Sequence, residues 1–175
     1  MEKSYKQYLS QINTLIFDVD GVLTNGIVTV LSNGELIRQM NIKDGYALRA
    51  AVNAGLRVCI ITGGKNEGVK IRLENLGIKD VYMGAHDKIE QYHELVDMYN
   101  LQSENVLYMG DDMPDYPVMK LVGLACCPND AATEIQQIAK YISDKKGGEG
   151  CVRDIIEQIL RVQGKWDSNF DATFD

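Results

Sequence analysis

The sequence lacks paired cysteines, long apolar runs and an excess of basic residues. Its cysteines are Cys59, Cys126, Cys127 and Cys151. Because they form no C-x-x-C pair and no cluster with zinc-binding spacing, we expect reduced thiols in the core. No apolar run approaches the ~18 residues of a membrane span, and residues 1–10 are polar, without the apolar segment of a signal peptide. These absences predict a cytoplasmic protein that does not act in a membrane.

The charge balance is acidic, with 18 lysines and arginines against 25 aspartates and glutamates and a net charge of −7. Long-range repulsion would oppose binding to nucleic acid or to an anionic membrane surface, so we expect neither as a partner. The chain has 175 residues, 45% hydrophobic and 25% charged, which is typical of a globular protein and suits one domain. We therefore predict a single domain over residues 1–175.

Short apolar runs alternate with helical stretches along the chain. The strand-like runs are residues 14–17, 57–61, 81–83, 106–109, 123–126 and 140–142, and the helical stretches are residues 44–53, 66–77, 86–99, 115–122, 131–139 and 152–162. Asp44 and Asn66 stand where the first two helices would begin, as N-cap residues that accept from free backbone N–H groups. The alternation predicts an α/β fold, a doubly wound, Rossmann-like parallel sheet with helices on both faces.

One segment interrupts this alternation. Residues 27–31 and 35–40 are strand-like and flank Ser32-Asn33-Gly34, and Asn-Gly between two such runs is a strong hairpin signal. We predict a β-hairpin, about residues 27–40, inserted after the first strand. The last stretch, about residues 165–175, is polar and is predicted to be a flexible tail.

Acidic residues cluster where strands of the predicted sheet end. Asp18 and Asp20 follow the first strand. Asp111, Asp112 and Asp115 follow a later one. Ligands of open α/β sheets bind at the carboxyl ends of strands, so we expect these side chains to converge. Converging carboxylates repel one another unless a cation neutralises them, and hard oxygen ligands suit Mg²⁺. The sequence therefore predicts a magnesium site.

A hydroxyl, two glycines and a lysine complete the predicted site. Thr62 ends another strand, Gly63 and Gly64 follow it, and Lys88 stands in the first turn of a helix. Side-chain and backbone donors of this kind form a cradle for a phosphate group. Each signal alone has an ordinary alternative, such as an Asx-turn for Asp-Val-Asp-Gly or a surface position for the lysine. Their conjunction, in this order, favours an enzyme that handles a phosphate.

The ordered motifs resemble those of phosphatases of the haloacid dehalogenase (HAD) superfamily. The motifs are Asp18-Val19-Asp20-Gly21-Val22, Ile60-Ile61-Thr62-Gly63, Lys88, and Gly110-Asp111-Asp112 with Asp115. Further stretches at residues 41–46, 115–119, 147–153 and 163–165 are similar to local patterns of the small capless subgroup of 3-deoxy-D-manno-octulosonate (KDO) 8-phosphate phosphatases. The resemblance covers almost the whole chain. It implies a HAD-type fold in which the hairpin stands in the usual position of a cap domain.

By this resemblance, catalysis is assigned to Asp18, Asp20, Thr62 and Lys88. Asp18 would attack phosphorus and form an aspartyl-phosphate. Asp20 would protonate the departing sugar oxygen and then take a proton from the water that cleaves the intermediate. Thr62 and the backbone that follows it would hold phosphoryl oxygens, while Lys88 neutralises charge.

The resemblance also implies Mg²⁺ as cofactor. The implied ligands are Asp18, the backbone carbonyl of Asp20, and Asp111. Asp112 and Asp115 would act through water or position the catalytic lysine. In an acidic protein, the metal and the lysine would reverse the local charge and admit a phosphate.

A sugar-acid phosphate is the implied substrate, hydrolysed to the sugar acid and phosphate in the biosynthesis of the lipopolysaccharide sugar KDO. The implied contacts are Asp20, Asn41, Ile42, Lys43, Asp44, Gly45, Arg49, Gly63, Gly64, Arg72 and Lys88. Of these, Lys43, Arg49 and Arg72 are the candidates for the substrate carboxylate. Relatives acting on nine-carbon 2-keto acid or sialic acid 9-phosphates share the four motifs. The nine-carbon subgroup typically has Glu where this sequence has Gly64, which favours the eight-carbon substrate.

The same subgroup implies a homotetramer. Hairpins of different copies would associate, and a neighbouring copy, through its residues 147–150, would wall the site. Two rival classes stay open on the sequence alone. A signalling receiver domain also accepts a phosphoryl group on an aspartate, but that aspartate follows a middle strand, whereas Asp18 follows the first. A catalytically idle interaction protein is the other, and the intact acidic set argues against it.

Overall fold

The computed structural model describes residues 4–166, which are built around a sheet of six parallel strands. In chain order the strands are β1 (Thr14–Phe17), β2 (Thr29–Val30), β3 (Leu36–Ile37), β4 (Arg57–Ile61), β5 (Asp80–Tyr82), β6 (Val106–Met109), β7 (Leu124–Cys127) and β8 (Tyr141–Ile142). The sheet has the order β5-β4-β1-β6-β7-β8, while β2 and β3 form a separate hairpin. Every residue of β1, β6 and β7 is buried, as expected for parallel strands covered on both faces. The predicted fold class is confirmed.

Helices cover both faces of this sheet. They are α1 (Ile42–Asn53), α2 (Glu67–Asn75), α3 (Lys88–Tyr99), α4 (Tyr116–Met119), α5 (Thr133–Ile138) and α6 (Cys151–Val162). One hydrophobic cluster packs α1, α2 and α6 against Leu15 and Phe17, and a second packs α3, α4 and α5 against Ile16. Alternate residues of β1 therefore point into different layers, as strand geometry requires. None of the helices within residues 4–166 is long and apolar enough to cross a membrane.

The strand order reverses between β1 and β6. From β1 the chain moves outward through β4 to β5, then returns to β6 and continues to β8 on the other side. Phe17 pairs with Met109, and the N–H of Asp18 donates to the carbonyl of Met109 at 3.1 Å. The loops after β1 and β6 thus leave the sheet side by side, and a crevice opens between them, where sheets of this kind bind ligands.

The first helix begins earlier than predicted. Asn41, not Asp44, is the N-cap of α1, and its side-chain oxygen accepts from the N–H of Lys43 at 2.8 Å. Asp44 lies within the first turn, and its carboxylate accepts from the N–H of Arg153 in the first turn of α6 at 2.7 Å. The prediction was wrong because this partner is distant in sequence. The predicted N-cap of α2, Asn66, is correct.

The predicted hairpin forms, but its strands are only two residues each. Thr29 and Val30 pair with Ile37 and Leu36, and all four residues are exposed. Ile27 is 69% exposed as well. No part of the chain within residues 4–166 buries this apolar surface.

The cysteines and the C-terminal segment complete the description. All four cysteines are buried free thiols, as predicted. The predicted flexible tail, about residues 165–175, lies outside the described residues except for Lys165 and Trp166. The N–H groups of these two residues both donate to the carbonyl of Leu160, at 2.7 and 3.1 Å.

Candidate active site

Three aspartates converge at the crevice between β1 and β6. Asp18 directly follows β1, Asp111 follows β6 by one residue, and Asp115 closes a 3₁₀ turn at Met113–Asp115. One carboxylate oxygen from each lies within 4.8 Å of those of the other two. Asp18 is 7% exposed and Asp115 is fully buried. The predicted convergence of carboxylates is therefore present in the structure.

Lys88 joins two of these carboxylates. It is the first residue of α3, and its Nζ lies 2.7 Å from Asp18 Oδ2 and 2.7 Å from Asp115 Oδ1. Its side chain is only 4% exposed. Burial alone would lower the pKa of Lys88, but the two ion pairs raise it above its usual value, so the ammonium stays charged. A fixed positive charge thus stands beside the candidate nucleophile.

Asp115 is held by partners on both of its oxygens. Its Oδ1 accepts from Lys88 and, at 2.6 Å, from the hydroxyl of Tyr108, while its Oδ2 accepts from the N–H groups of Asp111 and Asp112. With four donors, Asp115 is suited to position the lysine and the loop rather than to bind a further ligand. Tyr108 is absent from the sequence predictions. A tyrosine within a fully buried strand is a signal for it, because its hydroxyl needs a buried partner.

The remaining carboxylates suit a divalent cation. Burial and the neighbouring carboxylate of Asp115 raise the pKa of Asp18 to about 7, and burial together with Asp18 raises that of Asp111 to about 8. Negative charge here is poorly compensated by Lys88 alone, and hard oxygen ligands fit Mg²⁺. Gly21 contributes to the fit, since a Cβ at this position, where φ is +84°, would collide with the Asp111 carboxylate. Asp18 and Asp111 therefore have the chemistry and the spacing of metal ligands.

The loop after β4 forms another wall of the same cleft. Thr62 is 2% exposed, and its hydroxyl accepts from the N–H of Gly64 at 3.2 Å. Thr62, Gly63 and Gly64 line a cleft of about 470 Å³ together with the acidic residues and Lys88. The structure therefore brings the predicted phosphate-binding residues to the predicted metal site.

Asp20 lies at the mouth of the cleft and carries a partner that the sequence did not predict. Arg38 Nε donates to Asp20 Oδ1 at 2.6 Å, and Arg38 Nη2 donates to Asp20 Oδ2 at 2.9 Å. Arg38 is the only basic residue of residues 27–40. That isolated charge on an apolar hairpin is the signal from which it could have been found. Asp112 lines the cleft too, and its carboxylate accepts from the N–H of Met113 rather than contacting Lys88.

The residues predicted to bind the sugar acid lie elsewhere in the chain. Ile42, Lys43, Gly45, Arg49 and Arg72 line a separate pocket of about 320 Å³. This pocket shares no lining residue with the cleft. Two residues absent from the predictions, Tyr46 and Arg153, line it as well. Within one chain, the structure does not bring this group to the acidic cluster.

Two other residues predicted to bind the sugar acid, Asn41 and Asp44, contact other parts of the protein instead of lining this pocket. The side-chain amide of Asn41 donates to the carbonyl of Gly148 at 3.1 Å. Asp44 is 1% exposed, and burial raises its pKa to about 6. Asn41 therefore connects the start of α1 to the segment before α6, and Asp44 connects it to the first turn of α6.

The fold and this site define a hydrolase of the haloacid dehalogenase type. Residues 78–155 match the family of haloacid dehalogenase-like hydrolases. The chain is 40% identical over 156 residues to the 3-deoxy-D-manno-octulosonate 8-phosphate phosphatase KdsC of Salmonella typhi, covering 89% of this chain and 83% of that protein. The KdsC of Escherichia coli K12 is similar to the same extent. The chain belongs to the KdsC family of 3-deoxy-D-manno-octulosonate 8-phosphate phosphatases.

Solved structures agree with this assignment. The phosphatase of the same name from Yersinia pestis superposes with a TM-score of 0.90 at 38% identity, over 94% of this chain and 89% of that one. The Moraxella catarrhalis phosphatase, a complex with a magnesium ion, a phosphate ion and KDO, superposes with a TM-score of 0.89 at 29% identity, over 93% and 94% of the two chains. Because the chain belongs to a family of hydrolases, the alternative interpretation as a signalling receiver domain is no longer needed.

Proposed function

We propose that this protein is a Mg²⁺-dependent phosphatase that hydrolyses KDO 8-phosphate to KDO and phosphate. The observation that carries the proposal is the group of Asp18, Asp115 and Lys88, all buried, with the half-buried Asp111, at the point where the strand order reverses. The names of the relatives and the ligands of the Moraxella protein support the substrate. We also propose that residues 1–175 act as one domain without a cap, in the cytoplasm.

Asp18 is the nucleophile in this proposal. Its Oδ1 accepts from the N–H of Val19 at 2.7 Å and its Oδ2 pairs with Lys88, so its carboxylate is fixed at the end of β1. An oxygen of Asp18 attacks phosphorus as the bond from phosphorus to the sugar oxygen breaks, which gives an aspartyl-phosphate and the free sugar acid. Water then attacks this intermediate, releases phosphate and restores the carboxylate.

Asp20 and the loop after β4 serve both steps. Asp20 protonates the departing sugar oxygen and then takes a proton from the attacking water. Thr62 and the backbone N–H groups of Gly63 and Gly64 hold phosphoryl oxygens as charge develops. Asp115 keeps Lys88 in place, and Asp112 shapes the loop through its bond to Met113.

Asp18, Asp111 and the backbone carbonyl of Asp20 would hold the metal ion. When bound, Mg²⁺ supplies positive charge that lets an anionic carboxylate approach an anionic phosphate. Lys88, whose Nζ lies 2.7 Å from Asp18 Oδ2, contributes a second positive charge.

We propose that the sugar acid is bound between two copies of the chain in a homotetramer. Lys43, Arg49 and Arg72 would reach the substrate carboxylate from a neighbouring copy, because their pocket is separate from the cleft of their own chain. The exposed apolar hairpin supports association, since surfaces of this kind usually meet a partner. Sedimentation tests this step, and a fully active monomer would contradict it.

The substrate is tested by comparing kcat/KM, in Mg²⁺, for the eight-carbon and nine-carbon 2-keto-3-deoxy acid phosphates. Gly64 lacks the carboxylate that is typical of the nine-carbon subgroup, so we expect the eight-carbon phosphate to be preferred. A Gly64→Glu variant provides the matched comparison, because it adds that carboxylate at the rim of the cleft. Preference of the wild-type protein for the nine-carbon acid would overturn the substrate assignment while leaving the phosphatase class intact.

A further inference from the structure

The β-hairpin contributes one basic side chain to the body of the protein. Arg38 directly follows β3, and its side chain is only 8% exposed, although both residues of β3 are exposed. The side-chain amide of Asn66 adds a second tie, donating to the carbonyl of Leu36 at 3.0 Å. The hairpin is therefore attached to the rim of the cleft through polar contacts, and Arg38 is the charged one.

The guanidinium of Arg38 binds the carboxylate of Asp20 at two points, at 2.6 and 2.9 Å. Two parallel hydrogen bonds fix both the position and the plane of a carboxylate, which a single contact does not. The Asp20 side chain is 38% exposed, so it would otherwise be free to change rotamer in solvent. Within residues 4–166, Arg38 is the side chain that hydrogen-bonds to it.

The Arg38–Asp20 pair stands where two cavities meet. Asp20, Gly63 and Gly64 line both the cleft and an adjoining cavity of about 630 Å³, and Arg38 lines the adjoining one. A Cβ on Gly64 would lie 3.5 Å from both Arg38 Nη2 and Asp20 Oδ2. Arg38 thus contacts Asp20 from the adjoining cavity and does not itself line the cleft.

We propose that Arg38 is a positioning residue of the hydrolysis, which holds the Asp20 carboxylate within reach of the leaving oxygen and of the attacking water. The inference rests on the proposed function, because Arg38 acts through the residue assigned to proton transfer. A general acid or base such as Asp20 contributes about 10²–10⁴-fold to the rate when it is correctly placed. Loss of Arg38 should lower this contribution, because Asp20 would remain but would no longer be held in place.

The test uses aryl phosphates whose phenols differ in acidity. They carry no sugar acid, so a contact between Arg38 and the sugar has no influence. Values of kcat/KM report the first step, in which poor leaving groups need protonation most. For Arg38→Ala we expect little loss on the best leaving group and about 10–100-fold on the poorest. Arg38→Lys should recover part of the rate, because an ammonium keeps the charge but not the two-point contact.

An Asp20→Asn variant shows whether the effect of Arg38→Ala on the rate is exerted through Asp20 or in another way. In that background Arg38→Ala should cause little further loss, because two residues that act as one unit are not additive. Arg161→Ala, which removes an exposed cation paired with Glu157 on α6, should leave the dependence on leaving group unchanged. A uniform loss across the series, additive losses in the double variant, or faster turnover would each overturn the proposal. Phosphate release by the wild-type protein, and its absence in Asp18→Asn, test the proposed function separately.

Discussion

Lys88 and Asp18 show how single side chains set the chemistry of this site. Their ion pair is almost fully buried, and the ammonium is shared with Asp115 at the same 2.7 Å distance. A buried ion pair is costly unless all partners are satisfied. Its presence beside a cleft, rather than in the core, supports the role in the reaction that is proposed for these two residues.

Asp18→Asn is expected to abolish turnover while leaving the fold intact. An amide oxygen is too poor a nucleophile to form the aspartyl-phosphate, whereas its size matches the carboxylate. Phosphate release measures activity, and circular dichroism measures the fold. Asp144→Asn is the matched control, because the Asp144 side chain is exposed and, among the described residues, forms its ion pair with the neighbouring Lys145. Turnover of the Asp18 variant at the wild-type rate would show that another residue attacks phosphorus.

Arg72→Ala is expected to raise KM for the sugar-acid phosphate about 10–100-fold, as loss of a charge-assisted contact to a carboxylate predicts. KM for a small aryl phosphate, which has no carboxylate, should change far less. Arg161→Ala provides the control for a change in net charge. Equal losses on both substrates would instead assign Arg72 to phosphate binding or to general structure.

Sequence reasoning identified the residues that follow strands and missed those that depend on distant partners. Asp18, Thr62 and Asp111 could be predicted because a buried strand that ends in a polar loop is a local pattern. Arg38 was missed because its contact with Asp20 depends on where the hairpin folds relative to the sheet. Asp44 was misread for the same reason, since its partner Arg153 is 109 residues away.

The junction of α1 and α6 is the element-level feature with the clearest energetic consequence. Asp44 accepts from the start of α6 with one oxygen, while no donor within residues 4–166 hydrogen-bonds to its buried Oδ2. Burial raises its pKa to about 6, against about 4 in the unfolded chain. The folded protein therefore holds this proton more tightly than the unfolded chain does.

Stability should consequently fall as pH rises from about 4 to about 6, because the native state binds more protons than the unfolded state in this window. Two pKa units correspond to at most about 3 kcal/mol. Denaturant unfolding at pH 4 and at pH 7, which bracket this window, measures the change for the wild-type protein and for Asp44→Asn. The variant should lose this part of the pH dependence. If the stability of Asp44→Asn changed between the two pH values as much as that of the wild-type protein, folding would not raise the pKa of Asp44.

The loops after β1 and β6 should be linked by metal binding. Mg²⁺ at 100 times its Kd is expected to raise Tm by about 5–10 °C, since binding to the folded state alone adds about 2.7 kcal/mol. Differential scanning calorimetry with Mg²⁺ and with chelator measures the shift. Asp111→Asn should remove most of it, whereas Asp144→Asn should retain it. If Mg²⁺ did not change Tm, the alternative interpretation as a catalytically idle interaction protein would be favoured instead.

The strand boundaries that could be predicted from the sequence are those of buried strands. The bounds of β1, β4 and β6 matched the predictions because buried apolar runs end abruptly at polar residues. The hairpin strands came out shorter than predicted, with ladders of only two residues that no described part of the chain covers. The local sequence pattern thus predicted that a hairpin forms, but the length of its strands depends on tertiary packing and could not be predicted from that pattern.

At the scale of the whole molecule, the proposed catalytic residues and the proposed sugar-binding residues line two cavities that share no lining residue. The cleft contains the proposed catalytic residues, such as Asp18 and Lys88, and the pocket at α1 and α2 contains Lys43, Arg49 and Arg72. A cleft of one copy placed against the pocket of another would complete both in a symmetric assembly. Mixed assemblies offer a direct test, because the cleft and the pocket can each be disabled on their own.

Mixing Asp18→Asn chains with Arg72→Ala chains, by refolding them together, should restore activity at low substrate concentration. A cleft of an Arg72→Ala chain can meet the intact Arg72 of an Asp18→Asn neighbour, and random assembly gives about a quarter of such sites. Refolding Arg72→Ala chains with the double variant provides the control, because no Arg72 is then present and nothing should be restored. If the first mixture stays as inactive as its components, Arg72 and Asp18 do not act across the interface.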